Sequence, residues 1–88
     1  MKLYYFNPHT YAAEYFVTAE NKTLAFLALI DYLKGMIETG PYKSQYKEEL
    51  NRWTNVDPND PNTFPGGYDS IYTLDEFEPG IVVYTELS

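Results

Sequence analysis

The chain has 88 residues, 44% of them hydrophobic and 18% aromatic, with a net charge of −7 at pH 7 and no cysteine. That length holds one hydrophobic core and not two, so residues 1–88 read as a single domain. The lack of cysteine excludes a disulfide framework, thiolate metal sites and a cysteine nucleophile, and it favours an intracellular, cytoplasmic setting.

The opening run Lys2 to Phe6 is aromatic and apolar, which suits a strand. It meets Asn7-Pro8-His9 before the apolar region of a secretory signal can form, and no apolar run approaches the ~20 residues of a membrane span, so neither is expected. A second β-prone run, Ala12 to Thr18, follows the break and suggests an N-terminal hairpin. Residues 7–11 contain no Asn-Gly or Asp-Gly pair, so its turn is longer than the two-residue type.

Asn21 is a good N-cap, and Phe26, Leu29, Ile30, Leu33 and Ile37 recur at helical spacing until Gly40-Pro41 ends the segment. Leu24 and Leu27 fall on the opposite side, among Glu20, Asp31, Lys34 and Glu38. A helix apolar nearly all round in its first turns is expected to be covered on two sides, by the sheet and by the next segment. Tyr42, Tyr46, Leu50 and Trp53 then share one face of a second, shorter amphipathic helix.

The run from Asn55 to Asn62 concentrates proline, aspartate and asparagine, which favour successive turns, and the loop extends to about Tyr68. Ser70 to Leu74 and Ile81 to Leu87 are the remaining strand candidates, separated by Asp75 to Gly80 with Pro79-Gly80 as a type II turn. The expected fold is α+β: a small antiparallel sheet in ββααββ order with the helices packed on one face.

Charge is distributed unevenly. Up to Arg52, six cations balance six carboxylates, whereas Asp57, Asp60, Asp69, Asp75, Glu76, Glu78 and Glu86 face no lysine or arginine in the remainder. A segment of one sign repels phosphate backbones and attracts basic surfaces, so direct nucleic-acid binding is not expected.

The parts of an enzyme are missing. His9 follows Pro8 and reads as an exposed turn residue, and Ser44, Ser70 and Ser88 lie in no nucleophile context. Asp57 to Asn62 offers oxygen ligands, but an EF-hand loop needs a ligand at its fifth position and glycine at its sixth, where Pro61 and Asn62 stand. Asn21-Lys22-Thr23 matches a glycosylation sequon but serves as a helix cap, and Gly66-Gly67 lacks the lysine and third glycine of a phosphate loop. The expectation is a non-enzymatic protein with no cofactor and no metal.

The acidic closing segment has two readings: a solubilising face, or a binding surface in which carboxylates alternate with Tyr72, Phe77 and Tyr84. Such a mixture pairs with arginine and lysine while its rings stack or fill apolar gaps.

Two stretches carry a resemblance: Glu14-Tyr15-Phe16-Val17-Thr18-Ala19-Glu20-Asn21 leading into Leu24 to Leu33, and Tyr72-Thr73-Leu74-Asp75-Glu76-Phe77-Glu78-Pro79-Gly80-Ile81-Val82-Val83. In pairing a hairpin and helix with an acidic closing segment, the chain resembles small phage-encoded inhibitors of the anti-CRISPR type. Those are short, cysteine-poor, often acidic single domains, several of which mimic nucleic acid on the DNA-binding surface of a Cas effector. The resemblance implies a basic nucleic-acid-binding protein as partner, such as a Cas effector. Asp57, Asp60, Asp69, Asp75, Glu76 and Glu78 would be the charged contacts, and Tyr72 and Phe77 the anchors. The chain itself would be a monomer or small homo-oligomer. A self-associating phage assembly protein is the alternative, and a carboxylate-metal enzyme a third.

Overall fold

The computed structural model describes residues 1–9, 12–66 and 72–80. Its elements in chain order are β1 (Lys2–Asn7), β2 (Tyr15–Ala19), α1 (Lys22–Thr39), α2 (Lys43–Trp53), a 3-10 turn (Pro61–Thr63) and β3 (Thr73–Phe77). The class is α+β, with two helices and a three-stranded antiparallel sheet of order β2-β1-β3 among the described residues.

β1 and β2 form the expected hairpin, with Leu3 opposite Thr18 and Tyr5 opposite Phe16. β2 begins at Tyr15, later than the run from Ala12 suggests. The break between the strands is held by an Asx turn, in which the His9 N–H donates to Asn7 Oδ1 at 2.9 Å, and His9 takes a φ of 59°. β1 is the central strand of the described sheet and is apolar on both parities, with Tyr4, Tyr5 and Phe6 all buried.

β3 departs from the sequence expectation. Asp75, Glu76 and Phe77, assigned above to a connection, lie within the strand and pair with Tyr5, Tyr4 and Leu3. Backbone pairing with β1, together with the Tyr4 hydroxyl and Lys2 that meet the Glu76 carboxylate, overrides the weak β-propensity of acidic residues. Gly80, with φ 87°, occupies the turn beyond, as Pro79-Gly80 suggests. The fourth strand expected over Ile81 to Leu87, and the start of the third at Ser70, lie outside the described residues.

α1 is capped as expected: Asn21 Oδ1 accepts the Leu24 N–H at 2.9 Å, satisfying one of the free donors of the first turn. At the other end the Gly40 N–H donates to Met36 O at 2.8 Å. A Cβ at position 40 would stand 2.6 Å from that same carbonyl, so the close approach requires glycine. α1 buries Ala25, Leu29 and Leu33, and α2 turns back against it with Tyr46, Leu50 and Trp53 inward.

Both helices pack on the face of the sheet that carries Tyr4 and Phe6. Trp53 is fully buried there, 5.5 Å from Phe6 and 4.8 Å from Tyr72 between ring centroids in edge-on contacts. Each fully buried side chain of this kind contributes about 1.5–3 kcal/mol. The second cover expected for α1 does not reach its far side, where Leu24 is 46% and Leu27 51% exposed.

Candidate functional site

Strand pairing sorts the residues of the sheet by face, because residues directly opposite in a ladder point the same way. Tyr4, Val17 and Glu76 share the helix-covered face. Leu3, Thr18 and Phe77, then Tyr5, Phe16 and Asp75, share the other, with Asn7 and Thr73 at its end. No described helix packs on this second face. Phe16 and Thr18 are exposed on it, Leu3, Asp75 and Phe77 are half-buried and Tyr5 is buried, so the described part of this face is a partly open surface with three aromatic rings.

Its centre is a parallel stack of Tyr5 and Phe16, with ring centroids 4.3 Å apart and planes within 2°. Phe16 is 46% exposed, so the stack presents one of its rings to solvent. The Tyr5 hydroxyl donates to Glu14 Oε2, and burial first, then this carboxylate, push the phenol up to about 12. Asp75 is near enough to add to the same shift. At the rim His9 Nε2 lies 2.7 Å from Thr73 Oγ1. The only charges that β1, β2, β3 and Glu14 place on this face are the carboxylates of Glu14 and Asp75.

Among the described residues, the carboxylates singled out by the sequence do not form one surface. Glu76 and Glu78 converge on Lys2, whose Nζ lies 3.2 and 3.4 Å from their carboxylates. The Tyr4 hydroxyl donates to Glu76 at 2.9 Å; this bond, and then Lys2, hold the Glu76 carboxyl below its usual range. Asp57 and Asp60 cap the loop: Asp57 Oδ1 accepts from the Asn59 N–H, Asp60 Oδ1 from the Asn62 N–H, and both carbonyls accept from Thr63 Oγ1. Asp69 lies outside the described residues.

Of the two anchors, Phe77 is half-buried on the open face, opposite Leu3. Tyr72 is a core residue, 3% exposed, with its ring on Trp53 and its hydroxyl donating to Ala13 O. Arg52 stacks its guanidinium 5.6 Å from the Tyr72 ring and pairs with Glu49 at 3.6 Å, so the cation nearest that ring is already engaged. Burial, with Glu49 adding and Arg52 opposing, raises Tyr72 to about 12. Tyr72 immediately precedes β3, and the pairing of β3 with β1 carries its ring under α2.

Of the residues on this face, the sequence singles out Asp75 and Phe77 but not Tyr5, Phe16 or Glu14. The signal was present in the double parity of Leu3-Tyr4-Tyr5-Phe6, which demands two apolar environments where the helices can supply one.

Among the described residues, no three His, Cys, Asp or Glu side chains come together as a cation site, and no helix is long and apolar enough to cross a membrane. The open face offers stacking surface, apolar area and negative charge, which are means of recognition. No family model, curated protein or solved structure matches the chain, so its functional reading rests on the chemistry of this face.

Proposed function

We propose that the protein is a non-enzymatic binding module that docks its open sheet face on an arginine- and lysine-rich surface of a nucleic-acid-handling protein, and so keeps nucleic acid off it. The carrying observation is the Tyr5–Phe16 stack flanked by Glu14 and Asp75, with Leu3 and Phe77 beside it. An arginine reaching this face meets a ring to stack on and a carboxylate to pair with. The loop carboxylates Asp57 and Asp60 and the net charge of −7 extend a negative field that steers a basic partner inward and repels phosphates. This is the mode of action of several of the small phage inhibitors that the chain resembles, with a Cas effector as one partner of the required chemistry.

The test is capture of bacterial nucleic-acid-binding proteins on immobilised protein, followed by measurement of their DNA or RNA binding. Wild type is expected to retain such a protein at low salt, release it at high salt and abolish its nucleic-acid binding. The pair Phe16→Ser and Asp75→Asn is expected to lose capture while melting as the wild type does. Capture unaffected by salt and by that pair rules the reading out.

A further inference from the structure

Among the described residues β2 lies at the outside of the sheet, and its five residues carry neither charge nor proline. Outer strands normally guard their unpaired N–H and C=O groups with charged residues or proline. β3, at the opposite side of the described sheet, follows that rule: Asp75 and Glu76 lie within it, and Glu78 and Pro79 come next. β2 has no such guard.

Beside β2 runs a cavity of about 510 Å³, walled by residues 13–17 on one side and by Ala28, Leu29 and Tyr32 of α1 with Tyr46 of α2 on the other. No β1 residue lines it, which places it on the outer side of β2. Leu24, one turn before Ala28 on α1, is 46% exposed, so the apolar ridge of the helix continues past the cavity at that end. A strand edge that no described strand pairs, next to an apolar groove, is the arrangement by which a peptide adds a strand, its backbone pairing with the edge and alternate side chains entering the groove.

We propose that β2 accepts an extended segment of another protein, β-prone over about five residues and flanked on both sides by lysine or arginine. Charge selects this occupant. Glu14 and Glu20 bracket β2. If two copies of the chain paired their β2 strands antiparallel about Val17, Glu14 of each would stand opposite Glu20 of the other. Like charges directly opposite are destabilising, and the net charge of each copy adds to the repulsion. A segment with basic flanks turns both positions into attraction. The site is the edge of the sheet; it shares Glu14 and Phe16 with the open face but does not rest on that face binding a partner.

The experiment is a titration of the isotope-labelled full chain, followed by amide resonances. The probe is a seven-residue peptide with valine and threonine alternating over its five central positions and lysine at each end. Saturable shifts are expected in residues 13–19 and 28–32, with affinity falling about tenfold or more when glutamate replaces both lysines. Ala28→Gln, at an exposed helix position, fills the groove and is expected to weaken binding similarly while keeping the native spectrum. The proposal is overturned if β2 shows no shift at millimolar peptide, or if both peptides bind equally. It is also overturned if shifts fall on Leu3, Tyr5 and Phe77 instead, or if sedimentation shows the chain alone dimerising through β2. Asp75 lies on β3 and does not line the groove, so loss of partner capture by Asp75→Asn alone leaves this outcome untouched and the two readings fail separately.

Discussion

Trp53 touches Phe6, Tyr15, Phe26 and Tyr72, so one side chain ties the first two strands, α1 and the approach to β3. Its indole N–H donates to Glu49 Oε1 at 3.0 Å, which satisfies its polar atom. Trp53→Ala is expected to cost about 3–5 kcal/mol in chemical denaturation, a large part of the roughly 5–15 kcal/mol that a domain possesses. Glu76 works at the edge of the same face. Its carboxyl is held below its ordinary value of 4.5, first by the Tyr4 hydroxyl and then by Lys2. A depressed carboxyl contributes stability above its unfolded pKa and loses it as pH falls through the lower folded value. Thermal melts should therefore fall below about pH 4.5, and Glu76→Gln should flatten that decline. The capping carboxylates differ in kind, because an amide oxygen accepts an N–H as well as a carboxylate does. Asp60→Asn should leave stability nearly intact, whereas Asp60→Ala should lose about 1 kcal/mol by denaturant titration.

Each helix is specified by short-range features. In α1 the cap at Asn21, the apolar spacing and the stop at Gly40-Pro41 act within a few residues of one another, and each is confirmed by a local bond or contact. Asn21→Ala should cost about 1 kcal/mol through the lost cap. Gly40→Ala should cost about 1–3 kcal/mol, because the added methyl overlaps the Met36 carbonyl. Circular dichroism during denaturation measures both. β3 is specified differently. Its residues read alone as an acidic turn, and only the partner strand, more than sixty residues earlier, makes them a ladder. Long-range pairing leaves little trace in the segment that is recruited.

At the scale of the molecule, burial of tyrosine sets an alkaline limit. Tyr5 and Tyr72 are pushed up to about 12, mainly by burial, and Tyr15 is raised further by burial and by Glu49. A raised phenol contributes stability that is complete below the unfolded value of 10.0 and is lost as pH climbs through the folded one. The fold should therefore weaken from pH 10 upward, with phenolate absorbance appearing together with the loss of ellipticity. The class of fold, both helices, the hairpin and the acidic bias of the last third follow from the sequence alone, since capping, periodicity and net charge are properties of neighbouring residues. Which strand is central, that Tyr72 faces inward, that Glu76 and Glu78 meet Lys2, and that Asp75 joins Tyr5 and Phe16 were decided only by tertiary structure. A strand's side-chain directions become inside or outside only when its register with a distant strand is fixed, and a one-residue slip would exchange the two faces.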